Sequence, residues 1–153
     1  MSRSRSLAKG AIAGLIGGIV ATAAKTAAEK IYPPRTHGEA AQPALLTRKV
    51  AGRALSLRQR KVAHETIHWG VGAATGAAYG ALAEFYPAAT AKQGASFGMA
   101  FAAVTHDGAL PALGLAARPE YQTTREKSSE MVSHIVYGVV TETVRRIVRR
   151  MIN

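Results

Sequence analysis

Ionisable side chains interrupt the most apolar stretches of this 153-residue chain, where a charge is costly and usually serves a function or a paired network. Lys25 and Glu29 are four residues apart, as are Glu130 and His134, so each pair shares a face if its segment is helical. Two further histidines, His68 and His106, lie within the predicted helices. Imidazoles and carboxylates that meet in a low-dielectric layer have coupled protonation, which is a basis for pH sensing or proton relay.

The same side chains allow two other interpretations. Imidazole and carboxylate are ligands of Zn, Fe, Mn or Cu, and histidines on facing helices can hold haem. The candidate metal-binding residues are His68, His106, Glu130 and His134. A third interpretation is a satisfied polar network that only fixes the register of the helices. No cofactor is predicted, and at the level of the sequence a metal ion or haem stays an open alternative.

Enzyme signatures are weak or absent. Residues His64-Glu65-Thr66-Ile67-His68 match the zinc-protease pattern H-E-x-x-H, but Trp69-Gly70-Val71-Gly72 follows in place of a metzincin extension. The chain has no P-loop, no G-x-S-x-G elbow and no dinucleotide fingerprint after a strand. Zero cysteines exclude disulfides, thiolate metal sites and cysteine nucleophiles. We therefore expect a non-enzymatic protein.

Four Ala- and Gly-rich apolar segments position the ionisable residues, and strand signals are nearly absent. The segments predict an all-α fold in a single domain over 1–153, with helices at about residues 7–31, 65–85, 88–110 and 129–150. A basic connector, residues 33–61, separates the first two helices. Within it, Leu45–Leu57 carries apolar residues at helical spacing among basic ones, which predicts a helix lying on the membrane surface.

The pattern of apolar residues predicts a membrane bundle. Residues 10–24 and 70–83 are apolar around the whole helix circumference, and a 153-residue water-soluble domain cannot bury four such helices. We therefore predict four transmembrane helices running up and down, and we interpret the N-terminal segment, which also resembles a signal peptide, as the first of them. Glycines at four-residue spacing predict close helix packing, within one chain or between protomers; they are Gly10, Gly14 and Gly18, then Gly72, Gly76 and Gly80, and Gly94 with Gly98.

An up-and-down topology places the ionisable residues at two heights. Toward the first connector it predicts an intramembrane polar cluster of Lys25, Glu29, His68, His106, Glu130 and His134. Toward the termini it predicts a second layer of Glu84, Glu142 and Arg145. The functional prediction is that the first of these layers responds to protons.

A net charge of +11 predicts a polyanionic environment, which for a membrane protein means anionic lipid headgroups. A homo-oligomer or a larger membrane complex is the expected protein partner, and no nucleic acid is expected. Basic residues occur on both sides of the predicted bundle, so the positive-inside rule does not decide the orientation. We place both termini in the cytoplasm.

The sequence resembles the YagU-like family of poorly characterised bacterial inner-membrane proteins. The residues that carry the resemblance are Pro33-Pro34-Arg35, His68, Tyr79, Ala83-Glu84, Pro87, Gln93-Gly94, Gly98, His106, Pro111, Gly114, Ser129-Glu130, His134, Glu142 and Arg145-Arg146, together with Lys25 and Glu29. The resemblance implies a multi-pass inner-membrane protein associated with acid resistance. It implies no established activity.

Overall fold

The computed structural model describes residues 3–34, 56–114 and 118–152. Within these ranges the chain is helical and has no strand, which confirms the predicted all-α class. The four main helices are α1 (Arg3–Ile31), α2 (Leu57–Ala83), α3 (Ala95–Ala102, extended by two short segments) and α4 (Thr124–Met151). The connector helix predicted on the membrane surface falls almost entirely at residues 35–55, outside the described residues.

Capping boxes set the beginnings of α2 and α4, which the prediction placed too late. The Ser56 hydroxyl accepts the Gln59 N–H, and the Gln59 side chain accepts the Ser56 N–H at 2.9 Å. Thr123 and Glu126 form the same reciprocal pair at the start of α4. Each box satisfies two backbone donors that the first turn leaves open. Because these first turns are polar, hydrophobic content alone does not reveal them.

The predicted start of α3 at residue 88 is wrong. Residues Pro87–Gly94 form 3₁₀ turns that end in three left-handed residues, Lys92, Gln93 and Gly94, with φ of 51°, 54° and 85°. A right-handed helix cannot run through left-handed backbone, so α3 begins at Ala95. The turn brings Gly94 against α4, where a Cβ atom on Gly94 would lie 2.8 Å from the Cβ of Glu142.

The second half of α3 is irregular. Residues Ala103–Ala109 form a π-helix, followed by a single α-helical turn at Leu110–Ala112. Pro111 has no N–H, and in a regular α-helix its ring would clash with the carbonyl of Asp107, four residues earlier. Widening of the helix avoids that clash. The π-helical segment contains His106, and such segments are frequent at functional sites.

Glycines bring α1 and α2 into backbone contact. A Cβ atom on Gly10 would lie 2.5 Å from the carbonyl oxygen of Gly80, and one on Gly14 would overlap the carbonyl oxygen of Gly76. The third pairing, Gly18 with Gly72, has the same geometry, so the two helices run antiparallel along one glycine seam made of these six residues. The close packing predicted from the spacing therefore occurs within one chain.

Glycines also bring α3 and α1 close to α4. Gly98 packs against the backbone of His134, and Gly94 contacts Gly138. On the other side of α4, a Cβ atom on Gly17 would lie 2.6 Å from the carbonyl oxygen of Thr141. The antiparallel pairs α1–α2, α1–α4 and α3–α4 agree with the predicted up-and-down order.

Among the described residues, most of the buried side chains other than glycine are polar, and many large hydrophobic side chains lie on the outer surface. The buried polar side chains are Thr22, His106, Ser129, Glu130, Ser133, His134, Thr141, Glu142 and Arg145, whereas the buried hydrophobic ones are Ala13, Ala21, Tyr79, Ala102 and Tyr137. Large exposed hydrophobic side chains include Ile12, Ile19, Val71, Met99, Val104 and Val132. Charged residues are almost never fully buried in water-soluble domains unless they are paired, and here they form a large share of the buried side chains.

By length and composition, one helix among the described residues qualifies to cross a membrane, namely α1 from Ser4 to Ile31. Core helices of water-soluble proteins and signal sequences meet the same criterion.

Candidate functional site

Two clusters of ionisable side chains occupy the interior, at different heights. We call the first the His/Glu cluster; it consists of Lys25, Glu29, His106, Glu130 and His134. We call the second the Arg/Glu cluster; it consists of Glu84, Glu142, Arg145, Arg146 and Arg149. Twelve residues of α4 separate Glu130 from Glu142, which corresponds to a rise of about 18 Å.

Glu130 is the centre of the His/Glu cluster. Its Oε2 lies 3.2 Å from His106 Nε2 and 3.9 Å from His134 Nδ1. On the α1 side the same oxygen lies 4.0 Å from Lys25 Nζ, and Lys25 also pairs with Glu29 one turn along α1. Three helices thus contribute charged or ionisable groups to a site whose side chains are 25% exposed or less.

A backbone hydrogen bond fixes the orientation of His134. Its Nδ1–H donates to the carbonyl oxygen of Glu130 at 2.7 Å, because a carbonyl can only accept. In the neutral imidazole, Nε2 is then the free acceptor. The His134 ring contacts the His106 ring edge to face, with centroids 4.8 Å apart. The α3 side of the cluster is held by Gln122, whose side-chain amide donates to the His106 carbonyl at 3.2 Å.

His68 lies next to this cluster on α2. Its Nε2 is 3.1 Å from the Thr26 hydroxyl, so it contacts α1 at the residue after Lys25. This hydrogen bond to Thr26 places His68 at the height of Lys25 and joins α2 to α1. In the H-E-x-x-H segment, the exposed Glu65 accepts a hydrogen bond from the Trp69 indole N–H. The side chain of His64 lies outside the described part of the structure. Among the described residues, neither Glu65 nor His68 belongs to a group of side chains that could bind a metal ion together.

Three side chains of the cluster offer donor atoms suited to a metal ion. One atom each from His106, Glu130 and His134 lie within 4.8 Å of one another, and all three residues are buried. Two imidazoles and one carboxylate are a common donor set for zinc and related ions. The two imidazoles touch each other and do not face across a gap, so the arrangement fits a compact ion better than haem.

The Arg/Glu cluster is built around two carboxylates. Glu142, with a side chain only 1% exposed, accepts hydrogen bonds from Arg145 at 2.7 and 3.0 Å, from Arg146 one turn away and from the Tyr79 hydroxyl at 2.8 Å. These partners come from α2 and α4. A buried carboxylate with several charge-assisted hydrogen bonds is held in one position.

Glu84, at the end of α2, ties three helices together. It accepts two hydrogen bonds from Arg149 at 2.8 and 3.0 Å and one from the Ser6 hydroxyl, and it lies 3.7 Å from Arg145. The structure therefore joins the three residues predicted for the second layer, Glu84, Glu142 and Arg145. Sequence reasoning missed Arg149, Ser6 and Tyr79 as partners. The sequence did carry a signal for Arg149, because its four-residue spacing from Arg145 places both side chains on one face of α4.

A family model for a protein of unknown function, DUF1440, matches residues 19–143, well over half of the chain. The chain belongs to this family. No curated protein and no solved structure matches it. The DUF1440 match includes the whole His/Glu cluster and both carboxylates of the Arg/Glu cluster, whereas the three arginines of the Arg/Glu cluster follow its last residue. The match shows membership of DUF1440 and does not extend to the narrower YagU-like name that the sequence resemblance suggested.

Glu84 makes the stability of this DUF1440 protein depend on pH. Hydrogen bonds from Arg149 hold the pKa of Glu84 below its ordinary value, and the Ser6 hydroxyl acts in the same direction, while burial opposes both. A carboxylate whose folded-state pKa is depressed stabilises the fold above its unfolded-state pKa of about 4.3. This contribution is lost as the pH falls through the folded-state value.

We therefore expect Glu84→Gln to unfold more readily than the wild type at neutral pH, with a difference that shrinks in acid and disappears once the pH lies below the folded-state pKa of Glu84. Unfolding in detergent, followed by circular dichroism across this range, measures the difference. The exposed Glu120→Gln is the matched control and should differ little from the wild type at any pH. A Glu84→Gln deficit that persists unchanged into acid would contradict the assignment.

Aromatic rings connect the two clusters. The centroid of the His134 ring lies 5.2 Å from that of Phe101, and the Phe101 and Phe97 centroids are 6.1 Å apart. The Phe97 ring stacks on the Tyr79 ring with a centroid distance of 4.2 Å. Tyr79 in turn donates to Glu142. Beside this column, the Tyr137 hydroxyl donates to the Gly72 carbonyl at 2.6 Å. The interior of the protein is therefore one continuous packed unit with an ionisable cluster at each end.

Proposed function

We propose that this DUF1440 protein is a multi-pass protein of the bacterial inner membrane whose His/Glu cluster takes up a proton. Four membrane-spanning helices, cytoplasmic termini and a YagU-like role in acid resistance belong to the same proposal. The observation that carries it is the inverted distribution of side chains, with charges inside and large hydrophobic groups outside.

The inverted distribution explains why composition does not identify α4 as a candidate span. The charged residues in the middle of α4, Glu130 and Glu142, are buried inside the bundle, so they lower the hydrophobicity of the helix without facing its surroundings. The outer surface of the same helix exposes Val132 and Ile147. Helices α1, α2 and α4 have 29, 27 and 28 residues, or about 40 Å each, which exceeds the hydrocarbon thickness of about 30 Å.

The absence of cysteine allows a direct test of the topology. Single cysteines are introduced as Tyr121→Cys, before α4, and Met151→Cys, at its end; both native side chains are more than three-quarters exposed. A membrane-impermeant maleimide should label Tyr121→Cys in intact cells and Met151→Cys only after lysis. Labelling of both from the same side, or recovery of the protein in the soluble fraction, would overturn the proposed topology.

The charges of the His/Glu cluster favour uptake of one proton. Lys25 contributes one positive charge and Glu29 and Glu130 contribute two negative charges, so with neutral imidazoles these residues carry one net negative charge. A low-dielectric interior penalises a net charge. One proton, shared between Glu130 and His106 across 3.2 Å, makes the cluster neutral. The other ionisable groups that face it are His134 on α4 and, beside Thr26, His68 on α2, while the neighbouring Asp107 is exposed.

The proposal predicts how histidine protonation changes in a variant. With only five histidines, the ¹⁵N-imidazole spectrum of the full chain in nanodiscs is simple enough to assign. Between about pH 8 and pH 5, one cluster imidazole should become an imidazolium in the wild type and none in Glu130→Gln, because the variant cluster is neutral without a proton. Glu120→Gln should titrate like the wild type.

The imidazole titration also shows whether the His/Glu cluster binds a proton or a metal ion. Unchanged imidazole titration in Glu130→Gln, or one bound metal ion per chain by elemental analysis of the wild type, would overturn the proton assignment.

In cells, alanine at His68, His106 and Glu130 should lower survival of acid challenge while leaving the membrane level of the protein intact. Unchanged survival would remove the role in acid resistance.

A further inference from the structure

The Arg/Glu cluster and its surroundings carry an excess of positive charge at the end of the bundle that holds the termini. Within the cluster, three arginines face two carboxylates, which leaves one net positive charge. The remaining basic residues that sequence and structure place at this end are Arg3, Arg5, Lys9, Lys92 and Arg150. Among the described residues, no acid besides Glu84 and Glu142 occurs at this end.

One arginine of the cluster is accessible from outside. The Arg145 and Arg149 side chains are 10% and 15% exposed and each forms two hydrogen bonds to a carboxylate, whereas the Arg146 side chain is 46% exposed. Of the five N–H donors of the Arg146 guanidinium, only the Nε–H is hydrogen-bonded within the described chain, to Glu142. The other donors are available to an external acceptor.

Basic and apolar stripes run side by side on this part of α4. Arg146 and Arg150 are four residues apart and share one face, and the exposed Ile147 and Met151 form a parallel stripe one residue further on. Phe85, at the end of α2, is also exposed at this end of the bundle. A phosphate next to acyl chains is the chemistry that matches guanidinium groups bordering a hydrophobic surface.

We infer that Arg146 and Arg150 bind the headgroup phosphate of an anionic phospholipid, whose acyl chains pack against Ile147. The phosphate neutralises the excess charge of the Arg/Glu cluster through Arg146, which bridges Glu142 and the lipid. This inference rests on the proposed membrane location. It assigns the lipid to the leaflet next to the termini.

Native mass spectrometry of the full chain, titrated with phosphatidylglycerol or phosphatidylcholine, tests the inference. The wild type should prefer phosphatidylglycerol, and Arg146→Gln/Arg150→Gln should weaken that preference about 30-fold, since each basic residue near an anionic surface contributes roughly a factor of five. The control Arg58→Gln/Lys61→Gln removes the same charge from exposed residues at the start of α2 and should stay within about twofold of the wild type.

Each other result overturns the inference in a recognisable way. Equal losses in the two double variants would mean general attraction of lipid to a basic protein, with no site at Arg146. An unchanged preference in Arg146→Gln/Arg150→Gln with a wild-type helical spectrum would remove the site altogether. Displacement of the lipid by millimolar inorganic phosphate would identify a soluble anion as the occupant. Failure of the proposed function is distinct, because it would appear earlier as a protein that does not enter the membrane.

Discussion

Replacement of Gly76 by alanine is expected to destabilise the protein by about 3 kcal/mol or more. A Cβ atom at this position would overlap the carbonyl oxygen of Gly14 and would lie 2.6 Å from the Gly18 Cα and 2.8 Å from the Gly18 nitrogen. These are backbone atoms of another helix, so no side chain can rotate away to make room. The helices α1 and α2 would have to separate along the whole glycine seam, and the contacts on both sides of Gly76 would be lost.

Gly70→Ala on the same helix is the matched control. A Cβ atom at Gly70 meets nothing within 4 Å, so this substitution keeps the contact surface and should be neutral or stabilise the helix by up to about 1 kcal/mol. Unfolding of both variants in detergent, followed by circular dichroism, compares the two effects, and only Gly76→Ala should lower the stability. Equal stability of Gly76→Ala and Gly70→Ala would show that the seam does not hold the helices together.

Glu142→Gln is expected to lower the free energy of unfolding by about 3–5 kcal/mol, because it removes one partner of a buried ion pair. The variant leaves Arg145, Arg146 and Arg149 with Glu84 as their only carboxylate in the cluster. The amide oxygen that Glu142→Gln introduces can still accept the hydrogen bond from the Tyr79 hydroxyl, so the loss of stability reports mainly on the missing charge. The same unfolding measurement applies, with the exposed Glu120→Gln as the control that should change little.

A second substitution separates charge from packing at this site. Glu142→Gln combined with Arg145→Gln removes one charge of each sign, so the double variant should lose about 1–3 kcal/mol less stability than the sum of the losses measured for Glu142→Gln and Arg145→Gln separately. Simple addition of the two single losses would show that Arg145 and Glu142 do not stabilise the fold as a pair. A Glu142→Gln variant as stable as Glu120→Gln would contradict the structural role of the whole Arg/Glu cluster.

Several contacts follow directly from residue spacing and topology. Glu130 meets Lys25 and His106 because α1, α3 and α4 alternate in direction and each advances about 1.5 Å per residue, so the sequence position sets the height. The pairing of Lys25 with Glu29 follows from their i,i+4 spacing alone.

Other features depend on contacts that spacing does not encode. The left-handed turn before Ala95 and the π-helical segment around His106 result from close packing on Gly138 and from Pro111, and regular helical periodicity misses both. The choice of Arg149 and Ser6 as partners of Glu84 depends on which helix ends meet. The glycine spacing predicted close packing, but only the structure assigned it to α1 and α2 of one chain.

The sequence by itself therefore determined the helical class, the height of each ionisable residue and the positions where backbones can approach closely. These properties depend on local helix geometry, which is the same wherever the helix packs. The tertiary structure decided which face of each helix turns inward, and with it that the charges are buried and the hydrophobic groups exposed. That choice depends on rotation about the helix axis, which is set by the neighbouring helices and not by spacing along the chain.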